Sequence, residues 1–216
     1  MLTAAFVLLH VLVLVYWLGG DLGAFYASTY VSDPKRNPQA RLAAAGILAG
    51  VDMAPRTALI LAFPTGLTVA YTESLIDIPW GGLVMPAIWA AALGWLWLAW
   101  DIHLKHRPPG GAARRLDLAI RVAALAGLLA LAGLMTAWPL FMRLKLVVLA
   151  GAIALGLALR RLLAPIGPAI ATLASGEASE AADRTIARVL GASRPVVLLI
   201  WLLLLVAAAL GIAKPA

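Results

Sequence analysis

Few residues in this chain can do chemistry, and most of those stand inside apolar runs. His10 opens HVLVLVYWLGGDLGAFY, residues 10–26, which also carries Trp17, the Gly19–Gly20 pair and Asp21. An ionisable side chain in such a run is costly unless it faces protein and has a task. A neutral imidazole is a good ligand for haem iron or copper. It is also a common buried residue bonded to a backbone carbonyl, and position alone leaves both roles open. Lys145 follows Arg143 by two residues in RLKLVVLAG. The pair either reaches up to a membrane interface or forms a site for an anion, such as porphyrin propionates or a quinone oxygen. Met85, Met135 and Met142 add three thioethers, soft metal ligands that more often serve packing. A second polar group consists of Asp21, Asp52, Arg56, Asp101, His103 and Arg121. Its opposite charges can pair, for example Asp21 with Arg56 or Arg121, as structural glue.

The elements that must position these groups are membrane helices. Of the 216 residues, 63% are hydrophobic and only 12% charged, and the mean hydropathy is +0.97. A soluble domain carries about 25% charged residues. A bilayer core needs roughly 20 apolar residues as helix, and six stretches qualify: 3–30, 51–72, 82–104, 117–138, 140–161 and 195–213. The runs are continuous rather than alternating, which excludes a β-barrel. The sequence therefore predicts an all-α integral membrane protein, a six-helix transmembrane bundle forming a single domain over 1–216. SEAADRTIARVL, between the last two spans, is expected either as a short amphipathic surface helix capped by Ser179 or as a solvated connector. The first span has no basic leader or cleavage site and is expected to remain in the protein.

Charge sets the orientation. The net charge of +7 comes from 17 Lys and Arg lying mostly between apolar runs, where they meet anionic lipid rather than nucleic acid. Lys35, Arg36 and Arg41 mark the first loop; Lys105, Arg107, Arg114 and Arg115 the third; Arg160, Arg161, Arg184, Arg188 and Arg194 the fifth. The second loop holds only Glu73 and Asp77. The positive-inside rule puts the odd loops in the cytoplasm and both termini on the periplasmic side of a bacterial inner membrane. Trp80 and Trp138 then fall at outer boundaries and Trp100 at an inner one. Cysteine is absent, which excludes disulfides, thiolate metal sites, Fe–S clusters and covalent haem attachment.

Topology converts position into depth at about 1.5 Å per residue. His10 lies about 10 Å below the outer surface, Lys145 at a similar depth, and the three methionines near outer helix ends. His103 and His106 lie about 20 Å deeper, so neither can share an iron with His10 in one subunit. A haem on His10 would be five-coordinate, or completed by Met, Lys or another ligand.

The opening pattern H-x6-W-x-G-G, His10 through Trp17 to Gly20, resembles the first helix of the CopD-like superfamily of bacterial membrane proteins. Three further places resemble its HemJ-type protoporphyrinogen IX oxidase branch: MAPRTALILAFPTGL (53–67), RLKLVVLAGAIALG (143–156) and SRPVVLLIWLLLLVAAALGIAKP (193–215). The resemblance covers the first, second, fifth and sixth spans. The chain departs from the branch in having six spans rather than four, with the third and fourth and their WLWLAW run looking inserted. It also departs in Arg143, where His is common, and in Asp21. The resemblance implies a haem b-binding oxidoreductase with His10 as metal ligand. Trp17, Arg143 and Lys145 would be cofactor-binding, and Lys145 catalytic. Its reaction would oxidise a porphyrinogen and pass electrons to quinone or another membrane acceptor. Two other functions compete. One is CopD-type copper transport or resistance through His10 and the thioethers, which two nearby cations disfavour. The other is a non-enzymatic subunit of a larger complex or a homo-oligomer, with Trp95, Trp97 and Trp100 as a packing face.

Overall fold

The computed structural model describes residues 2–108, 110–176 and 179–214, all in helices and short turns. Eight helices occur among them: α1 Leu2–Val31, α2 Pro38–Val51, α3 Met53–Thr72, α4 Gly81–Leu104, α5 Ala112–Leu134, α6 Leu140–Leu162, α7 Ile166–Ala174 and α8 Glu180–Ala213. Six spans are long and apolar enough to cross a membrane, with α2 and α3 counting as one. The all-helical architecture with six membrane-length apolar spans expected from the sequence is therefore present. Its outward surface is apolar: Leu8, Val11, Val15, Leu199, Leu202 and Leu205 are all exposed. In water such a surface would aggregate, whereas hydrocarbon solvates it.

Three boundaries differ from the sequence expectation. The first loop is half helix, because Asn37 accepts from the Gln39 N–H at 2.8 Å and Pro38 begins α2, an N-cap followed by proline at the first helical position. Only Asp52 separates α2 from α3. Pro55 explains the break, since its ring lacks an N–H for the Val51 carbonyl four residues back and crowds it. The expected 117–138 span runs instead over Ala112–Leu134. Arg114 and Arg115 fit the first turns because long basic side chains can reach the interface. Pro139 restrains Trp138 from helical geometry and closes the far end.

The stretch after α6 contains one more helix, α7, and SEAADRTIARVL is neither a separate surface helix nor a connector. It is the first third of α8, which continues through Pro195. The anticipated cap is there, with Ser179 Oγ accepting from the Ala182 N–H at 3.2 Å. Glu177 and Ala178 of this loop, Pro109 of the third loop and Pro215 of the Lys-Pro ending lie outside the described residues.

Side chains pack in three layers. The central core joins Val13 and Trp17 of α1 with Ala58 and Ile60 of α3, Leu146 and Ala150 of α6 and Ile200 of α8. One end is closed by Leu67, Met85, Phe141 and Met142. The other end, carrying the basic loops, has its own small core of Val31, Ala44, Ala169, Ile186 and Leu190. Arg41, counted from sequence as a loop cation, is 2% exposed within that end. Its Nε donates to the Val31 carbonyl at 3.0 Å and its guanidinium meets Asp183 at 2.7 Å, so one side chain ties α1, α2 and α8 together.

Candidate functional site

His10, Trp17 and Asp21 stand seven and eleven residues apart on α1, which at 3.6 residues per turn aligns them on one stripe. The neighbouring helix is α3, and the closeness of the two has a definite cause. A Cβ on Gly20 would lie 2.6 Å from Ala54 Cβ and 2.8 Å from Pro55 Cδ, so only glycine permits this crossing.

Higher on the same interface, His10 Nδ1 lies 2.8 Å from Thr65 Oγ1. The Thr65 hydroxyl donates to the Leu61 carbonyl at 2.6 Å, the common bond of a helical threonine to the turn before it. With its proton committed there, Thr65 offers His10 a lone pair, so the imidazole donates from Nδ1. Nε2 then carries the free lone pair. It has no hydrogen-bond partner among the described residues. Gly66 shapes the other side of the ring, since a Cβ there would stand 2.9 Å from His10 Cε1. Thr65 holds the imidazole and Gly66 makes room for it. The ring's partner is a side-chain hydroxyl, not the backbone carbonyl that remained open from the sequence.

Lys145 is half-buried on α6, with its ammonium packed where α8 presents Gly211, 2.9 Å from the Cβ position. His10 and Lys214 lie within its electrostatic reach. No carboxylate pairs with it among the described residues. Arg143 goes elsewhere. Residues two apart on a helix point in different directions, and Arg143 Nε donates to the Ala132 carbonyl at 2.8 Å. That carbonyl is in the last turn of α5, where helix acceptors lack intrahelical donors. Trp17 is 4% exposed in the central core, about 10 Å along α1 from His10. His10 and Lys145 thus lie within electrostatic reach of one another, while Trp17 packs in the central core and Arg143 binds the end of α5.

Two further expectations are corrected. Asp21 pairs with neither Arg56 nor Arg121, because both are taken. Arg56 binds Asp52 one turn away, and Arg121 binds Asp117 at 3.1 Å. Around Asp21 stand Asp52 and the indoles of Trp17 and Trp201. The tryptophans of α4 do not share a packing face. Trp95 turns inward to donate to Asp117 Oδ1 at 2.9 Å, Trp97 is 68% exposed, and Trp100 donates to Thr57 at 3.2 Å. Met85 and Met142 sit among carbon atoms in one apolar cluster, and Met135 caps α5.

Asp117 went unnoticed in the sequence because it fell at an expected helix start. It is 1% exposed and accepts from Trp95, Arg121 and, at 2.6 Å, Arg160. The readable signal was its spacing of four from Arg121, with Arg160 at the same end of the next, antiparallel helix.

No family model matches the chain, and no curated protein or solved structure matches it. Among the described residues no group of three or more His, Asp or Glu is placed to hold a metal ion. The donor set at His10 is a single oriented imidazole, which suits axial ligation of a metal whose other ligands come with a cofactor.

Proposed function

We propose that the protein is a haem b-binding oxidoreductase of the bacterial inner membrane, with both termini periplasmic and His10 as the axial ligand. The observation that carries this reading is the relay His10–Thr65–Leu61. A ligating histidine needs its second nitrogen engaged so that ring orientation and tautomer are set, and Thr65 engages Nδ1 while Nε2 has no hydrogen-bond partner among the described residues. Haem, when bound, supplies a one-electron centre whose potential follows its ligand and surroundings.

The chain's own residues divide the remaining work. Thr65 fixes the imidazole and Gly66 leaves the ring its place. Lys145, a cation without a carboxylate partner among the described residues, is suited to hold a carboxylate of the cofactor or of a porphyrin-type substrate, or to hold a proton at Nζ. Arg143 is assigned to holding the end of α5, and Trp17 to the core beneath the site. The motifs shared with HemJ-type proteins support oxidation of a porphyrinogen, with electrons leaving to a quinone. The copper reading is weaker, because Met85 and Met142 are enclosed by apolar side chains.

The test is an absorption spectrum of protein purified from haem-replete cells, reduced minus oxidised. A Soret band is expected in the wild type and its loss in His10→Ala. Colourless wild-type protein, or an unchanged spectrum in the variant, overturns the reading.

A further inference from the structure

We propose that the groove between α3, α4, α5 and α6 binds an acidic phospholipid, with an acyl chain along the groove and the phosphate on the arginines at its end. This site is separate from His10 and independent of the haem reading.

The groove has a volume of about 380 Å³ and apolar walls, including Phe63, Ile88, Trp95, Ile120, Gly127 and Leu131. From Ile120 to Leu131 it follows α5 for about 16 Å, a length suited to an acyl chain rather than a compact ring. Trp95 joins the groove to the charged end. Its ring forms wall, its N–H donates to Asp117, and the Arg121 guanidinium lies 5.5 Å from its centroid.

That end carries more positive charge than its acids can balance. Arg56 and Arg160 lie within electrostatic reach of both Arg114 and Arg121, and Asp117 lies within reach of the latter two. Asp117 answers Arg121 and Arg160, and Asp52 answers Arg56. Asp117 alone thus answers two guanidiniums, and Arg114 has no carboxylate partner among the described residues, so positive charge around Asp117 is in excess. Arg121 is deep, but the side chains of Arg160 and Arg56 are 33% and 40% exposed, so their heads reach towards lipid headgroups. Guanidinium is the favoured partner of phosphate. On the positive-inside orientation this end faces the cytoplasmic leaflet, where basic pockets between helices take acidic headgroups.

The experiment uses the full chain in detergent. Phosphatidylglycerol, phosphatidylcholine of the same acyl chains, and inorganic phosphate are titrated, with bound lipid counted by native mass spectrometry. Phosphatidylglycerol is expected to bind about tenfold more tightly than phosphatidylcholine. Arg160→Gln or Arg114→Gln should erase most of that preference, while Arg161→Gln, the exposed neighbour, leaves it intact. Gly127→Leu puts a side chain into the groove from a position where an added Cβ meets no atom of another helix within 4 Å. It should weaken both lipids and leave inorganic phosphate unaffected. If Arg160→Gln does not fold, Arg114→Gln and Gly127→Leu carry the test. Equal affinity for the two lipids, full displacement by inorganic phosphate, or unchanged lipid binding in Gly127→Leu overturns the proposal.

Discussion

Thr65 does the decisive work around His10, and it does so with a lone pair rather than a proton. Because its hydroxyl donates to Leu61, the imidazole is held as an Nδ1 donor. Thr65→Val keeps the shape and removes the acceptor, so His10 becomes free to turn and to change tautomer. Loss of such a supporting bond typically costs 10–100-fold in affinity for a metal centre. If the haem reading holds, the affinity for haem, read by titration of the Soret band, falls by about that factor in Thr65→Val and recovers in Thr65→Ser. Full retention in the valine variant would show that the ring needs no such support. His10 was legible in the sequence because an ionisable group stands out in an apolar run. Thr65 was not, because a threonine in a membrane helix usually satisfies itself on its own backbone. Its second partner lies 55 positions away in sequence.

At the scale of elements, the interest lies where the chain bends or ends. Pro55 opens the helical ladder between α2 and α3, and Gly20 lets α1 approach that point closely. Arg41 then binds the outer helices to the rest through Val31 and Asp183. Removing one partner of a buried pair leaves an unanswered charge or carbonyl. Arg41→Ala should therefore lower unfolding stability in detergent by about 3 kcal/mol. Asp183→Asn should cost less, because that acid is 32% exposed. The double variant should be milder than the sum of the two. Strict additivity in a thermal or denaturant series would show that the pair is not coupled. The long apolar helices were readable from composition and length. That residues 38–51 form a helix and that Glu180–Leu190 runs on into the last span was not, since Arg41 meets Val31 and Asp183 only in the fold.

For the whole molecule, the positive-inside rule proposes an orientation from the distribution of charge, and the absence of cysteine makes that proposal directly testable. Ser175→Cys and Glu73→Cys place single thiols at exposed positions in opposite connections. A membrane-impermeant maleimide should label Glu73→Cys in intact spheroplasts and Ser175→Cys only in inverted vesicles. The reverse pattern would turn the molecule over and move His10 to the cytoplasmic half. The sequence by itself determined that this chain forms apolar helices, how many are long and apolar enough to cross a bilayer, and that His10 stands as an ionisable group in an apolar run. Those properties depend on neighbours along the chain, on hydropathy, spacing and loop charge. Only the tertiary structure decided which nitrogen of His10 is held, that Lys145 turns towards α8 while Arg143 serves α5, and that Asp117 gathers two arginines and a tryptophan. Each of these is a contact between helices far apart in sequence, set by how closely small residues let them approach. Local pattern carries no record of that distance.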